Sequence, residues 1–202
     1  MNYSPDPAFM AGNLVNVFDA VQAVDLDVFN AGLNWYNDAH TFCALTAVEY
    51  NKPIDHVVGI VAALSPAAAW EKNKQDAVAI LQHGSEATVG TYGNNKNKAV
   101  AIAENGHPLD ILGGNKVLSF YHNILKPESA DHVTIDRHAI RAAVGDFDTP
   151  ADTLVRYAYT DKRYHNMASA YFLAAEKRNT LPLQLQAVVW LAVRGEQKYF
   201  YQ

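Results

Sequence analysis

Apolar residues recur along this chain at intervals of three and four, the spacing that gathers them on one face of an α-helix. Pro5 and Pro7 suit the start of a helix, and Phe9, Leu14, Val17, Phe18, Val21 and Val24 follow as an apolar stripe. Asp27 is expected to cap a second helix running to about Tyr50. That helix would carry Phe29, Leu33, Tyr36, His40, Cys43 and Ala47 on one face, until Asn51–Pro53 breaks it. Residues 54–64 are apolar enough for a buried helix. Ser65 is expected to end it and to cap the next, with Pro66 at the first position of a helix running to about Gln82. Tyr92-Gly93-Asn94-Asn95 opens a helix to about Asn105, with Asn95 as a capping residue. Gly113-Gly114 marks a tight turn into Lys116–Leu125. Val133–Ile135 is short and extended, and helices follow at about 137–144, 150–160, 162–179 and 182–194. Alternating β-branched residues are nearly absent, so the expected fold class is all-α, a compact multi-helix domain.

Composition adds mainly exclusions. Half of the 202 residues are hydrophobic, enough for the core of one domain. The longest apolar runs, Val57–Leu64 and Ala187–Val193, are far shorter than the roughly 18–20 residues that span a bilayer, so no membrane partner is expected. The first 30 residues hold no Lys or Arg, hence no charged start of a signal peptide. A single cysteine, Cys43, excludes an internal disulfide, a cysteine-rich zinc site and a four-cysteine cluster. On its apolar face it reads as a buried, inert thiol. The expected compartment is a reducing cytoplasm, and no cofactor is expected. The net charge of −5 hides an asymmetry: residues 1–51 carry six acids and no Lys or Arg, while all 16 basic residues lie beyond them. A surface for DNA can therefore be built from the later part alone.

The stretch richest in chemistry is His132-Val133-Thr134-Ile135-Asp136-Arg137-His138-Ala139-Ile140-Arg141. An extended segment delivers Asp136 to a helix entrance whose next turn presents Arg137 and Arg141. A carboxylate there either caps the helix or acts as a catalytic acid group, and the local sequence alone favours the cap. Upstream, Leu109–Lys116 reads as helix, glycine turn, helix. It is either a simple turn or a backbone that a phosphate can approach closely. His132, Asp136 and His138 do not share one helical face, so no metal site is expected. Trp35, Tyr36, Trp70 and Tyr121 are aromatic enough to stack on an unpaired base, and Asn73 to read a base edge or cap; aromatics on such helices more often belong to a core. Trp190, in an apolar run, reads as core.

Five stretches in order resemble the helix-hairpin-helix DNA glycosylase superfamily, the HhH-GPD or endonuclease III-like fold. They are Val57–Ala79, Tyr92–Ala99, Leu112–Lys116, Val133–Arg141 and Ala187–Gly195. The fourth is similar to the family's V-D-T-H-x-x-R segment and is the most specific. The resemblance covers about residues 54–195 and leaves 1–53 as an acidic helical extension. It implies a DNA-base-acting enzyme, with Asp136 as the catalytic carboxylate and Lys116 as an amine for lyase chemistry. Gly113, Gly114, Asn115, Arg137, Arg141, Lys96 and Lys98 would contact DNA, and Trp35, Tyr36, Ser65, Trp70, Asn73 and His138 would line the substrate pocket. The chain departs from the family in its shorter hairpin and in having no cysteine cluster after Gly195; Pro66-Ala67-Ala68 stands where a duplex-wedging glutamine often lies. It looks as much like small phage relatives thought to decorate thymine by displacing pyrophosphate, in which Asp136 would be a general base for an amine. A helical DNA-binding or interaction protein without catalysis is a third expectation.

Overall fold

The computed structural model describes residues 4–66 and 68–195. Among these the chain forms eleven α-helices and no strand, so the fold class is all-α. The helices are α1 (Pro7–Val24), α2 (Leu26–Glu49), α3 (Ile54–Leu64), α4 (Trp70–His83), α5 (Gly93–Ala103) and α6 (Pro108–Ile111). They continue as α7 (Asn115–Leu125), α8 (Arg137–Val144), α9 (Ala151–Leu154), α10 (Asp161–Arg178) and α11 (Pro182–Gly195). Short 3₁₀ turns occupy Gly84–Glu86 and Val155–Ala158, the latter replacing the end of the continuous helix expected over 150–160. No described helix is long and apolar enough to cross a membrane. The chain divides into two compact units, Met1–Tyr36 with Glu128–Gln202, and Asn37–Pro127, so α2 contributes to both. This division does not fall at residue 53, and α1 is no appendage.

In the first unit, α1 is packed on its own buried face. Asp6 caps it, its Oδ1 accepting the Ala8 N–H at 2.7 Å, and Pro7 stands in its first turn. Met10, Leu14, Val17, Phe18 and Val21 are buried against α10, α8 and α11. Phe9 and Val24, expected in that stripe, are 60% and 52% exposed, because the buried face runs through Met10 instead. Asp25, not Asp27, caps α2: its Oδ1 accepts the Val28 N–H at 3.1 Å, which leaves Asp27 in the first turn. Gly32 lets α2 and α11 touch, since a Cβ there would lie 2.5 Å from Val188 Cα.

The extended segment Val133–Ile135 is buried in this unit without a partner strand, so its backbone groups need other partners. Tyrosine hydroxyls supply them. Tyr164 Oη donates to the Val133 carbonyl at 2.9 Å and accepts the Ile135 N–H at 3.1 Å. Tyr171 Oη donates to the Ala139 carbonyl at 2.8 Å. Tyr36 Oη donates to Gln186 Oε1 at 2.8 Å and shares a hydrogen bond with the Thr134 hydroxyl at 3.1 Å. These bonds hold the segment that carries Asp136.

In the second unit, α3 is buried from Val57 to Leu64 among α4, α5, α6 and α7. Each fully buried Val, Ile or Leu there contributes about 1.5–3 kcal/mol. The last carbonyls of the helices find side-chain donors. Lys52 Nζ donates to the Ala103 carbonyl at 2.7 Å, and His56 Nδ1 lies 3.2 Å from the Ile102 carbonyl, both at the end of α5. Helix α4 begins at Trp70, not at Pro66, and its N-cap is Ala69 with no side-chain bond. Ser65 closes α3 instead, its hydroxyl donating to the Ala62 carbonyl at 2.9 Å. Asn95 is likewise no cap: it sits inside α5, whose cap position is Tyr92, and its Nδ2 donates to Thr91 Oγ1 at 3.4 Å.

Candidate functional site at the entrance of helix α8

Asp136 has extended backbone angles and stands at the cap of α8. Its Oδ1 accepts two amides of the first turn, His138 N–H at 2.9 Å and Ala139 N–H at 2.8 Å. The capping reading is therefore correct for this oxygen. The other oxygen, Oδ2, accepts the indole Nε1–H of Trp190 at 3.0 Å, from α11. A carboxylate offers about four lone-pair sites, and three are taken here. The group is half-buried and fixed in orientation from two directions.

Cationic and aromatic groups surround it. Arg137 is exposed and its Nε donates to His138 Nε2 at 3.3 Å. That bond makes Nε2 the acceptor, so the proton of the neutral ring sits on Nδ1. The His138 ring meets Trp190 edge-on with centroids 6.4 Å apart, and the Arg194 guanidinium lies 4.8 Å from the Trp190 ring centroid. Trp35, half-buried, packs edge-on against Trp190 at 6.0 Å and Tyr36 at 4.9 Å. Arg141 donates from Nη2 to the Thr149 carbonyl at 3.3 Å. His138 Nδ1 and Arg141 Nε are buried without a hydrogen-bond partner. Burial holds His138 below the ordinary imidazole value. Asp136 pulls it back up, and Arg137, Arg141 and Arg194 push it further down. The arrangement joins one fixed anion to three guanidiniums, suited respectively to a developing positive charge and to phosphate oxygens.

The structure thus brings together Asp136, Arg137, His138, Arg141 and Trp35 in the first unit. Tyr36 belongs there too, but it is 3% exposed and its hydroxyl is engaged, so it cannot line a pocket as expected. The remaining expected residues lie in the second unit. Gly113 and Gly114 are exposed, and Gly114, at φ 85°, opens α7 without a side-chain cap. Asn115 and Lys116 form the first turn of that helix and are half-buried. Lys96 Nζ donates to the Ser85 carbonyl at 2.6 Å, and Lys98, on the same helix, is half-buried.

One further pocket expectation is overturned. Asn73 is 2% exposed and donates from Nδ2 to the Val61 carbonyl at 3.1 Å, so it serves the end of α3 and cannot read a base. Ser65 is half-buried, its hydroxyl donating to the Ala62 carbonyl. Tyr121 is buried and cannot stack on a base, whereas Trp70 is half-buried, edge-on to Phe42 and 5.6 Å from Lys74 Nζ. Burial pushes the Cys43 thiol up to about 12, which leaves it unreactive. Among the described residues, no group of three or more His, Cys, Asp or Glu side chains is placed to hold a metal ion.

Trp190 and Arg194 are the site residues that the sequence pattern hides. Trp190 lies inside an apolar run and reads as core, yet it is half-buried with its indole nitrogen on Asp136. The only local signal is the four-residue step from Trp190 to Arg194, which puts ring and guanidinium on one helical face.

Residues 5–197 match a family described as a family of unknown function (DUF7178), and the chain belongs to it. No curated protein and no solved structure matches the chain.

Proposed function

We propose that this chain acts on a base of DNA, cleaving its N-glycosidic bond with Asp136 as the catalytic carboxylate. The observation that carries this reading is the bond from Trp190 Nε1 to Asp136 Oδ2. A helix cap needs only the amides of its own first turn, and Oδ1 already receives both. The second oxygen is held by a residue 54 positions away, in a group of guanidiniums that suits the phosphates beside a target nucleotide. The sequence resemblance, strongest at Val133–Arg141, points the same way.

In this mechanism the target base leaves the stack at a cost of about a few kcal/mol. As the glycosidic bond lengthens, positive charge grows on the sugar. A carboxylate already fixed in place stabilises it without rearranging. The fourth lone-pair site of Asp136 is the one that faces this charge or an attacking water.

The test is incubation with oligonucleotides carrying damaged or modified bases, scored for released base by mass spectrometry and for alkali-labile abasic sites. Asp136→Asn keeps one oxygen for the cap and loses the charge. Turnover should fall at least about 100-fold while DNA affinity stays within a few-fold. Turnover that survives in Asp136→Asn refutes the reading.

A non-catalytic DNA-binding protein is the second reading, favoured by the full use of Oδ1 in the cap. Tight DNA binding without any released base, unchanged in Asp136→Asn, would establish it. Release of pyrophosphate from activated DNA with an amine would instead assign decoration of thymine.

A further inference from the structure

Arg137, Arg141 and Arg194 gather around His138 in the first unit, and among the described residues none of the three is ion-paired with an Asp or Glu. Asp136, the acid that faces His138, is committed to the cap and to Trp190, and Asp146, whose charge acts on Arg141, is bonded to the Thr149 amide and hydroxyl. Like charges collected in this way repel one another, and the repulsion is relieved by an anion. Two buried donors, His138 Nδ1–H and Arg141 Nε–H, have no acceptor, a state that burial makes costly. Both belong to α8, three residues apart and so on one face of the helix.

We propose that these four side chains form a subsite for a phosphoryl oxyanion, and that its occupancy is linked to protonation of His138. The link is the bond between Arg137 Nε and His138 Nε2 at 3.3 Å. With a neutral ring, Nε2 accepts from Arg137 and holds that guanidinium back. Protonation at Nε2 replaces the acceptor with a donor, breaks the bond and frees Arg137 to turn to the oxyanion. It also adds a positive charge to the subsite. The charged groups that face His138 are Asp136, Arg137 and Arg141 from its own stretch and Arg194 from α11. Helix α9 and the 3₁₀ turn Val155–Ala158 also pack on α8, and neither Asp152 nor Arg156 on them acts on His138. Of the other helices packed on α8, α1 presents Asn13, bonded to the Ala143 carbonyl, and α10 presents Tyr171, bonded to the Ala139 carbonyl. Neither changes charge in the neutral range. Oxyanion affinity therefore rises as pH falls through the His138 titration, and a bound oxyanion raises the His138 value in return.

For its biological ligand this proposal rests on the DNA reading above, but the subsite itself is tested without DNA. The probe is sulfate, a dianion that does not titrate near neutrality. The full chain, with labelled histidines, is followed by NMR as pH falls below about 6.5, where a depressed imidazole titrates. Saturating sulfate should move the His138 titration upward, and sulfate should bind several-fold more tightly at the lower pH. Arg137 and Arg194 are both exposed, so the double variant Arg137→Gln/Arg194→Gln should keep its melting temperature and weaken sulfate binding by about tenfold or more. Lys162→Gln, an exposed cation lost from α10, should change it by less than about twofold. Equal sulfate binding by wild type and double variant, or a His138 titration indifferent to sulfate, overturns the proposal.

Two oligonucleotides that differ only in a 5′-phosphate then identify the source. Displacement of sulfate by both alike assigns a backbone diester, and displacement by the phosphorylated one alone assigns a terminal monoester. Displacement by neither overturns DNA as the ligand while the sulfate result still supports the subsite.

Discussion

Helix α8 begins with a carboxylate and helix α7 with a glycine. At α8 the entrance is over-determined: Asp136 binds two amides and an indole, and the segment before it is held by the Tyr164 hydroxyl on both sides of Thr134. At α7, Gly114 adopts φ 85° and no side chain caps the first turn. A Cβ added at Gly113 or Gly114 would meet nothing within 4 Å. One entrance is built to hold a charged group still, and the other leaves backbone open to whatever approaches. A fixed anion suits electrostatic work on a reacting atom, while open backbone suits passive contact with a phosphate.

The comparison is broken most directly at Asp136. Asp136→Ala removes the cap and strands the Trp190 indole N–H, so unfolding in urea should show a loss of about 2–3 kcal/mol. A loss below about 0.5 kcal/mol would mean that the entrance is not held by its carboxylate.

The glycine turn separates conformation from access. Gly114→Ala forces a side chain into a backbone region it disfavours and should cost about 1–3 kcal/mol. Gly113 has no such constraint, so Gly113→Ala should leave the melting temperature nearly unchanged. If a phosphate approaches there, the same substitution weakens DNA binding several-fold in a fluorescence-anisotropy titration; unchanged affinity would make the turn purely structural.

The smallest expected effect lies in pH. His138 is held below its ordinary value near 6.5, so the unfolded chain binds its proton more readily than the folded one. The stability this provides is complete above that value and is lost progressively as pH falls below it. A modest drop in melting temperature on acidification, absent in His138→Gln and offset by sulfate, is expected; a rise would reverse the sign of the argument.

Much of the fold was legible because its signals are local. The predicted span 137–144 is the observed α8, since an acid cap, an apolar face and Gly145 in the left-handed region bracket it within a few residues. The apolar run at 54–64 gave α3 for the same reason. Less legible were positions where two local signals compete. Ser65-Pro66 looks like the start of a helix, but the Ser65 hydroxyl is used by the helix before it, and α4 waits until Trp70. Asp25 and Asp27 are equally good caps on paper, and the single-residue link from α1 selects Asp25.

The candidate site divides along the same line. Spacing and capping chemistry within ten residues determine that Asp136 stands at a helix entrance with Arg137 and Arg141 beside it. That Trp190 supplies the third bond, that Arg194 joins the cationic group, and that Tyr36 and Asn73 are sealed inside depend on helices meeting far along the chain. A side chain's type states what it can donate or accept. Which neighbour takes the offer depends on packing, and packing brings together residues whose separation carries no local signature.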